Sequence, residues 1–380
     1  MHYFIFTDKD TYITENSSDA VVQFPNSVSK NYGKDEIIEL KKEFLDSHAS
    51  SPFNVSRILT QFDYSDLSSS IHLGFTPRPD STNPLSSSFY LRYYEVEGQT
   101  TLDKTYSLSS HMVRQTWDEG TGKHFDNPNT KLGCTWESGS SVWSSSESGM
   151  TSGSRPRRGG GVWLTTAGTE ASQSFSNQSG DIEINVTDLV EKHLDGTHGN
   201  YGFITKFSGS YEGDSTPVDL KFFSRNTNTI YQPKLEVRWN DCSYPNPLAT
   251  SLNYLTMSGN IENHIFIKGL QQKYRESEEV RFRVGCRKKY TTKTFTESML
   301  TSSFYIPKGS GSYSIVDVAT DTAVVPFSSY TSMSADTNSM YFDQRLNTFE
   351  PGRYYKVLFK LKYTDGQEVI IDNDEEFKVI

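Results

Sequence analysis

Residues 116–143 decide the fold of this chain, and they read T-W-D-E-G-T-G-K-H-F-D-N-P-N-T-K-L-G-C-T-W-E-S-G-S-S-V-W. Three of the chain's five tryptophans lie here, at Trp117, Trp136 and Trp143, and Gly or Pro recurs every few residues. Gly and Pro at this spacing exclude a helix, and so many large rings exclude a disordered linker. The stretch therefore predicts a long ordered loop whose aromatic side chains pack onto a β-core.

These aromatic side chains have two interpretations. They can anchor the loop to the core, or they can stack on a sugar or on a partner surface. Stacking requires at least one ring that is flat and solvent-facing beside polar groups. The candidate contact residues on this interpretation are Trp117, Trp136, Trp143 and Trp163.

Composition bounds the class of protein. The chain has 380 residues, enough for two or three domains, and 37 basic against 47 acidic residues give a net charge of −10. The sequence contains no basic block of the kind that would indicate a nucleic-acid partner. The sequence contains no run of about 18 apolar residues that would predict a membrane span. The start M-H-Y-F-I-F does not resemble a signal peptide. The 22 Tyr and 23 Phe favour strands.

Cys134, Cys242 and Cys286 share no metal-ligand or disulfide spacing. We expect reduced thiols, as in a protein assembled in a cytoplasm.

Hydrophobic alternation predicts many short strands before residue 241. They are expected at 3–6, 36–41, 56–63, 89–97, 105–113, 201–207, 219–224 and 234–239, with a short piece at 20–24. The remainder of 7–30 is predicted to be loop. One helix is expected after Thr187 as N-cap, with Leu189, Val190 and Leu194 on one face and Gly196 closing it.

The Pro-rich segment D-C-S-Y-P-N-P-L at 241–248 predicts a domain boundary. Strands are expected beyond it at 279–286, 353–363, 368–372 and 377–380. The predicted fold class is all-β with two β-sandwich domains. Residues 1–240 form a jelly-roll-like domain with one short helix, and residues 241–380 form an immunoglobulin-like domain.

No catalytic pattern stands out in the sequence. The acidic run D-N-D-E-E at 372–376 predicts a solvated face and lacks the D-x-D-x-D-G pattern of a calcium loop. Neither an H-E-x-x-H nor a G-x-S-x-G motif occurs. We predict a non-enzymatic protein without cofactor or metal. A polysaccharide depolymerase remains an alternative, which would need paired carboxylates in a groove.

Residues 138–161 are rich in Ser and Gly and contain the basic run S-R-P-R-R-G-G-G. Arg155, Arg157 and Arg158 are candidates for phosphate, lipopolysaccharide or partner contact, with an exposed solvated loop as the other interpretation. We expect this segment to become ordered by contact with a neighbouring subunit. Trypsin should then cleave it in the isolated protein and not in an assembly.

Nine short motifs occur in order along residues 1–240. They are Thr11-Tyr12-Ile13, Asn31-Tyr32-Gly33, S-R-I-L-T-Q-F-D at 56–63, W-D-E-G at 117–120, Thr135-Trp136, V-T-D-L-V at 186–190, N-Y-G-F at 200–203, F-F-S-R at 222–225 and P-K-L at 233–235. In these motifs and their order, residues 1–240 resemble the DNRLRE-type, disaggregatase-related carbohydrate-binding β-sandwiches. The insertion at 138–161 departs from a compact module, so sugar binding is not transferred to individual residues.

The opening H-Y-F-I-F-T-D-K-D-T-Y-I, the phrase Y-G-K-D-E-I-I-E-L and the closing part with E-P-G-R-Y-Y-K-V-L-F-K resemble virion structural proteins of large T-even-like marine tailed phages. The resemblance implies a tail, baseplate or neck component in the virion, assembled in the host cytoplasm. Its partners would be other virion proteins and copies of itself, in rotational symmetry. The alternative is a glycan-binding adhesin module that contacts the host surface.

Overall fold

The computed structural model describes residues 1–15, 29–44, 53–80, 82–83, 86–97, 105–126, 128–141, 143, 159–213, 217–245, 252–258, 262–290 and 304–380. The chain forms two compact units. We call Ile5–Val237 the N-terminal unit, and Met1–Phe4 together with Arg238–Ile380 the C-terminal unit. Both consist mainly of strands, so the protein is all-β.

The first ten strands form one sheet. They are β1 (His2–Thr14), β2 (Ile37–Phe44), β3 (Phe53–Phe62), β4 (Ser88–Tyr93), β5 (Tyr106–Met112), β6 (Glu170–Phe175), β7 (Ile182–Asn185), β8 (Phe203–Phe207), β9 (Val218–Phe223) and β10 (Lys234–Arg238). Three short helices accompany them, α1 (Ser65–His72), α2 (Thr187–Leu194) and α3 (Gly209–Gly213).

Strand β3 organises this sheet, because its two edges carry three partners. One edge pairs antiparallel with β1, from Thr7↔Phe62 to Thr14↔Ser56. The other edge pairs with β2 near its start and with β8 near its end. The remaining order is β6-β5-β8-β3-β1-β10-β4-β7, with β9 beside β2. All of β3 from Asn54 to Leu59 is buried, as expected for a central strand.

The predicted loop at 7–30 is wrong over its first part, because β1 continues through Thr14. The pairing with β3 shifts between Thr7 and Lys9, and this β-bulge accommodates the charged run there. Thr11, Tyr12 and Ile13 are then buried. The strand predicted at 20–24 lies outside the described residues.

Helix α1 was missed because its sequence, S-D-L-S-S-S-I-H, is half serine, a residue with modest helix propensity. Its formation depends on burial of Leu67 and on Asp63. The Asp63 carboxylate accepts bonds from the Ser65 backbone N–H and hydroxyl, both at 2.9 Å.

Helix α2 forms where it was predicted, but Thr187 is its first residue and not its cap. The Thr187 hydroxyl donates to Asn185 Oδ1 at 2.7 Å and accepts from the Phe89 backbone N–H at 2.9 Å. The residue therefore ties the helix to β4 and not to its own first turn.

The C-terminal unit contains two sheets. Their strands are β11 (Asn263–Lys268), β12 (Lys273–Tyr274), β13 (Glu279–Lys288), β14 (Gly311–Asp317), β15 (Thr322–Val325), β16 (Ser334–Ala335), β17 (Met340–Arg345), β18 (Tyr354–Lys362) and β19 (Glu368–Val379), with 3-10 turns at Ser329–Thr331 and Leu346–Thr348. The sheet orders are β11-β13-β17-β16 and β12-β19-β18-β14-β15. The strands predicted at 368–372 and 377–380 are one continuous β19.

Aromatic side chains hold the two C-terminal sheets together. Tyr313 of β14 stacks on Phe342 of β17 with ring centroids 3.9 Å apart, and Phe342 stacks on Phe282 of β13 at 5.0 Å. Phe4 lies in the same core, although it is more than 230 residues from the rest of that cluster in sequence.

Candidate functional site

The four candidate tryptophans lie in the core of the N-terminal unit. Trp117, Trp136, Trp143 and Trp163 are 1%, 0%, 2% and 6% exposed. They pack against Ile13, Val55, Leu59, Val113, Val162 and Ile204, mostly from the strands β1, β3 and β8. Rings so deeply buried cannot stack on an external sugar, because no face is open to solvent.

Hydrogen bonds fix two of these rings in place. The Trp117 indole N–H donates to the Tyr201 carbonyl at 2.9 Å, and the Trp143 indole N–H donates to the Thr135 carbonyl at 3.1 Å. Both bonds join the long loop to itself or to the start of β8. The geometry corresponds to loop anchors, and the exposed stacking platform considered from the sequence is not present.

The Trp136 ring packs against the fully buried side chain of Arg57. The guanidinium carbon lies 4.8 Å from the Trp136 ring centroid, and Arg57 Nη1 donates to the Gly160 carbonyl at 2.5 Å. Gly160 has φ +86°, and a Cβ there would lie 2.3 Å from Arg57 Nη1. Only glycine therefore fits, and a desolvated cation–π contact of this kind is worth about 2 kcal/mol.

Trp163 lies on a second side of the same cation, with its ring centroid 4.9 Å from Arg57 and 5.6 Å from Lys206 Nζ. The Glu212 carboxylate pairs with both cations, at 2.9 Å from Arg57 Nε and 3.3 Å from Lys206 Nζ. His111 packs on Trp163, and burial together with the two cations lowers the pKa of His111 to about 4. His111 is therefore neutral in this cluster, and Glu212 is the ion-pair partner of Arg57 and Lys206, as buried charges require.

Arg155, Arg157 and Arg158 lie outside the described residues, as does most of the predicted Ser- and Gly-rich segment. Their proposed contacts remain predictions from the sequence.

Asn31 clamps the loop from residue 118 to residue 134 onto the unit. Its Nδ2 donates to the carbonyls of Glu119 and Cys134, both at 2.8 Å. Its Oδ1 accepts from the backbone N–H groups of Gly33 at 3.2 Å and Gly122 at 2.8 Å. A buried Asn side chain with two donors and an acceptor fully used is well suited to fix backbone segments distant in sequence.

Close backbone packing accompanies this clamp. A Cβ at Gly33 would lie 2.0 Å from the Glu119 carbonyl oxygen, so no other residue fits without moving the backbone. Tyr12 and Tyr32 stack beside it at 4.3 Å. The His124 backbone N–H donates to Asp35 Oδ1 at 2.8 Å, which holds the far side of the loop.

The Glu119 side chain adds ion pairs to the contacts that Asn31 makes with this loop. Its carboxylate lies 2.5 Å from Lys34 Nζ and 3.1 Å from Arg225 Nη1. Asp10 is also buried here and accepts from the Arg225 backbone N–H at 2.7 Å. Burial raises the pKa of Asp10 to about 7, and the charge of Glu119 acts in the same direction.

The clamped loop presents apolar side chains to solvent. Phe125 is 92% exposed and Leu132 is 72% exposed. Sequence reasoning missed both because it weighted the tryptophans, although both lie inside residues 116–143. The sequence signal for their exposure is that each is an isolated apolar residue without apolar neighbours, in K-H-F-D-N and in T-K-L-G.

The motif residues that carried the family resemblance meet in the interior of the fold. Asn31 contacts Glu119, Glu119 contacts Arg225, and Arg57 contacts Trp136. Each pair joins segments that are far apart in sequence. These motif residues therefore join segments of the fold that are distant in sequence.

The part of the chain that the structure describes lacks two features. No group of three or more His, Cys, Asp or Glu side chains there could hold a metal ion. No helix there is both long and apolar enough to cross a membrane. No protein-family model matches the chain, and no curated protein matches it significantly.

Proposed function

We propose that this protein is a non-enzymatic structural component of a tailed-phage virion, associated with the tail, baseplate or neck. It assembles in the host cytoplasm through contacts with other virion proteins and with copies of itself. The finer fold that accompanies this proposal is a DNRLRE-like jelly roll for residues 1–240 and an immunoglobulin-like sandwich for residues 241–380. The ordered motifs and the phage-like phrases of the sequence support it.

The observation that carries the proposal is the rigid display of Phe125 and Leu132. Their loop is fixed by Asn31 and Glu119, so little ordering entropy remains to be lost on binding. Exposed large apolar side chains on a preorganised loop are typical of protein contacts. Burying each contributes about 1.5–3 kcal/mol, enough to anchor a contact that is repeated around a symmetric particle.

The glycan-binding alternative rested on exposed tryptophans and on the carbohydrate association of the family that residues 1–240 resemble. Since all four rings are buried, no described feature of the tryptophan loop favours it, and we propose no second function.

The test has two steps. Mass spectrometry of purified virions should detect the protein at a fixed copy number. A Phe125→Asp/Leu132→Asp variant supplied during infection should then be excluded from particles while its circular dichroism and thermal unfolding stay unchanged. Phe75→Asp is the matched control, because Phe75 is a 54% exposed phenylalanine of the same unit.

Absence of the wild-type protein from virions would refute the virion role. Equal incorporation of the double variant and the Phe75→Asp control would instead remove Phe125 and Leu132 as the assembly contact.

A further inference from the structure

Strand β19 has a long open edge. It is twelve residues long, and β18 pairs with one side of it from Glu368 to Lys378. On the other side, β12 pairs only with Lys378 and Val379. Among the described residues, the outer edge from Glu368 to Glu376 therefore has no strand partner.

The hydrogen-bond register shows which backbone groups face this open edge. The Tyr363 N–H donates to the Gln367 carbonyl at 2.8 Å, which makes these two residues a hydrogen-bonded pair at the hairpin. Hydrogen-bonded and non-hydrogen-bonded pairs alternate along an antiparallel ladder. Because Lys362 pairs with Glu368 and Lys360 with Ile370, these are non-hydrogen-bonded pairs.

The N–H and C=O groups of three residues consequently point away from β18. These residues are Glu368, Ile370 and Asp372, while Val369 and Ile371 bond to β18. No backbone hydrogen bond from these three residues to another described segment occurs. The edge thus offers three consecutive outward-facing donor and acceptor sets over about 14 Å.

A cleft of about 680 Å³ runs along this edge. Its walls are β19 from Val369 to Asn373 and the start of β11 at Asn263 and His264. The cleft closes beyond Asn373, because the Asn373 side chain bonds to the Ile265 carbonyl and Glu375 accepts from the Ile267 N–H at 2.7 Å. It is open along Val369 to Asp372, next to the unpaired edge that begins at Glu368.

Protection against strand addition is uneven along β19. Asp374 has φ +55°, and the register with β18 shifts between Lys356 and Leu358, so a bulge disrupts the far half of the edge. Bulges of this kind are a common device against edge pairing. No such device occurs between Glu368 and Asp372, where Ile370 is 59% exposed.

The side chains of the open part have an acidic–apolar–acidic order, from Glu368 through Ile370 to Asp372. Lys360 and Lys356 approach the two carboxylates at 3.2 and 3.3 Å. These pairs are solvent-exposed and therefore weak, so the carboxylates remain able to bind further cations. A strand that pairs here would place a basic, an apolar and a basic side chain opposite these three residues.

We propose that the β19 edge binds an extended segment of a neighbouring virion subunit as an added strand, with basic residues on both sides of an apolar one. The identity of the partner as a virion subunit depends on the proposed function, whereas the strand-addition site does not. Main-chain bonds supply affinity in such recognition, and the alternate side chains supply selectivity.

The probe is a fluorescein-labelled heptapeptide, T-K-T-V-T-K-T, with T-E-T-V-T-E-T as its charge-reversed partner. Fluorescence anisotropy with the full chain should show saturable binding of the basic peptide and none of the acidic one. Ile370→Pro removes one outward N–H and leaves the β18 ladder intact, so the basic peptide should bind about tenfold or more weakly. Ile370→Thr, which keeps the N–H, should retain binding within a few-fold.

A second pair of substitutions keeps the test independent of proline effects on folding. Glu368→Lys/Asp372→Lys should exchange the preference, so that the acidic peptide binds and the basic one does not. Equal binding by wild type and Ile370→Pro, an unchanged preference in the lysine variant, or no binding of the basic peptide to wild type would each overturn the proposal. Peptide binding by a protein that is absent from virions would refute the virion role and leave the strand site standing.

Discussion

The side-chain Nδ2 of Asn31 lies 2.8 Å from the carbonyl oxygen of Cys134, 103 positions further along the chain. One asparagine thus fixes the far end of the loop that displays Phe125 and Leu132. The stability of that display should depend on this contact more than on any single ring in the loop.

Asn31→Ala should destabilise the N-terminal unit by about 2–4 kcal/mol, because two carbonyls and two backbone N–H groups lose a buried partner. Urea unfolding followed by tryptophan fluorescence measures this, since four of the five tryptophans belong to that unit. The control is Asn338→Ala at an exposed position of the C-terminal unit. A shift no larger than that of the control would show that Asn31 does not hold the loop.

Stability should fall as the pH is lowered through the histidine range. Burial lowers the pKa of His193 to about 4, from an ordinary value of 6.5. The unfolded chain then binds the proton more readily, so this stability is complete above pH 6.5 and is lost between 6.5 and 4, at up to about 1.4 kcal/mol per pH unit.

His193→Leu should reduce this slope, because the ring packs between Tyr64 and Phe203 and both of its nitrogens lack a hydrogen-bond partner among the described residues. The buried His111 keeps its own contribution in the variant. Urea midpoints at pH 5 and pH 7.5 provide the measurement, with the exposed His72→Leu as control. An unchanged pH slope in the His193 variant would contradict the assignment.

Asp10 should act in the opposite direction. Burial raises its pKa to about 7, from an ordinary value of 3.8. The folded state holds the proton more tightly, so the contribution of Asp10 is fully present below pH 3.8 and is lost as the pH rises to 7. Asp10→Asn keeps an acceptor for the Arg225 N–H and stays neutral.

The free energy of unfolding of the Asn variant, relative to that of wild type, should therefore rise between pH 4 and pH 8, by about 1 kcal/mol or more at the upper end. Chemical denaturation across this range tests the expectation. If the stability difference between the two proteins does not change with pH, the Asp10 carboxyl does not titrate in that window.

The three thiols should react at different rates in the folded protein. Burial raises the pKa of the Cys286 thiol to about 12 and that of Cys134 further, whereas Cys242 is only half-buried. Since the thiolate is the reactive form, iodoacetamide should label Cys242 first, and Cys134 and Cys286 only after unfolding. Peptide mapping by mass spectrometry identifies the labelled residue, and early labelling of Cys134 would contradict its burial.

Amide exchange along β19 should alternate. Val369 and Ile371 bond to β18, while Glu368, Ile370 and Asp372 face the open edge. Residue-resolved hydrogen exchange of the free protein should find the first two amides slow and the other three fast. Uniform protection from 368 to 372 would show that another segment already covers the edge.

Much of the strand pattern was predictable from sequence, and the site was not. Short apolar-rich patterns located β2, β3, β5 and β8, although burial alternates only in β2 and is nearly continuous in the other three. Strand β1 was cut short at Phe6, since its charged run at 8–10 begins at the bulge at Asp8 and includes the buried Asp10. No local pattern shows that the Asp10 carboxylate will be buried against the backbone N–H of Arg225, 215 positions further along the chain.

The tryptophans illustrate the same limit. Their number predicted an ordered loop, which the structure has, but whether a ring faces inward depends on contacts such as that between Trp136 and Arg57. Those partners are 79 residues apart in sequence, and only the fold brings them together. The exposure of Phe125 could not be derived from sequence for the same reason.

The membership of Met1–Phe4 in the C-terminal unit sets an order of events during synthesis. Phe4 lies in the core formed by residues after 250, and the His2 carbonyl accepts from Gln344 Nε2 at 3.4 Å. Residues 1–4 can therefore complete their packing only after residues beyond 340 have been synthesised, whereas residues 5–237 form a unit of their own. A fragment of residues 241–380 would lack the Phe4 side chain in its core. Its refolding should therefore improve when a peptide of residues 1–6 is added.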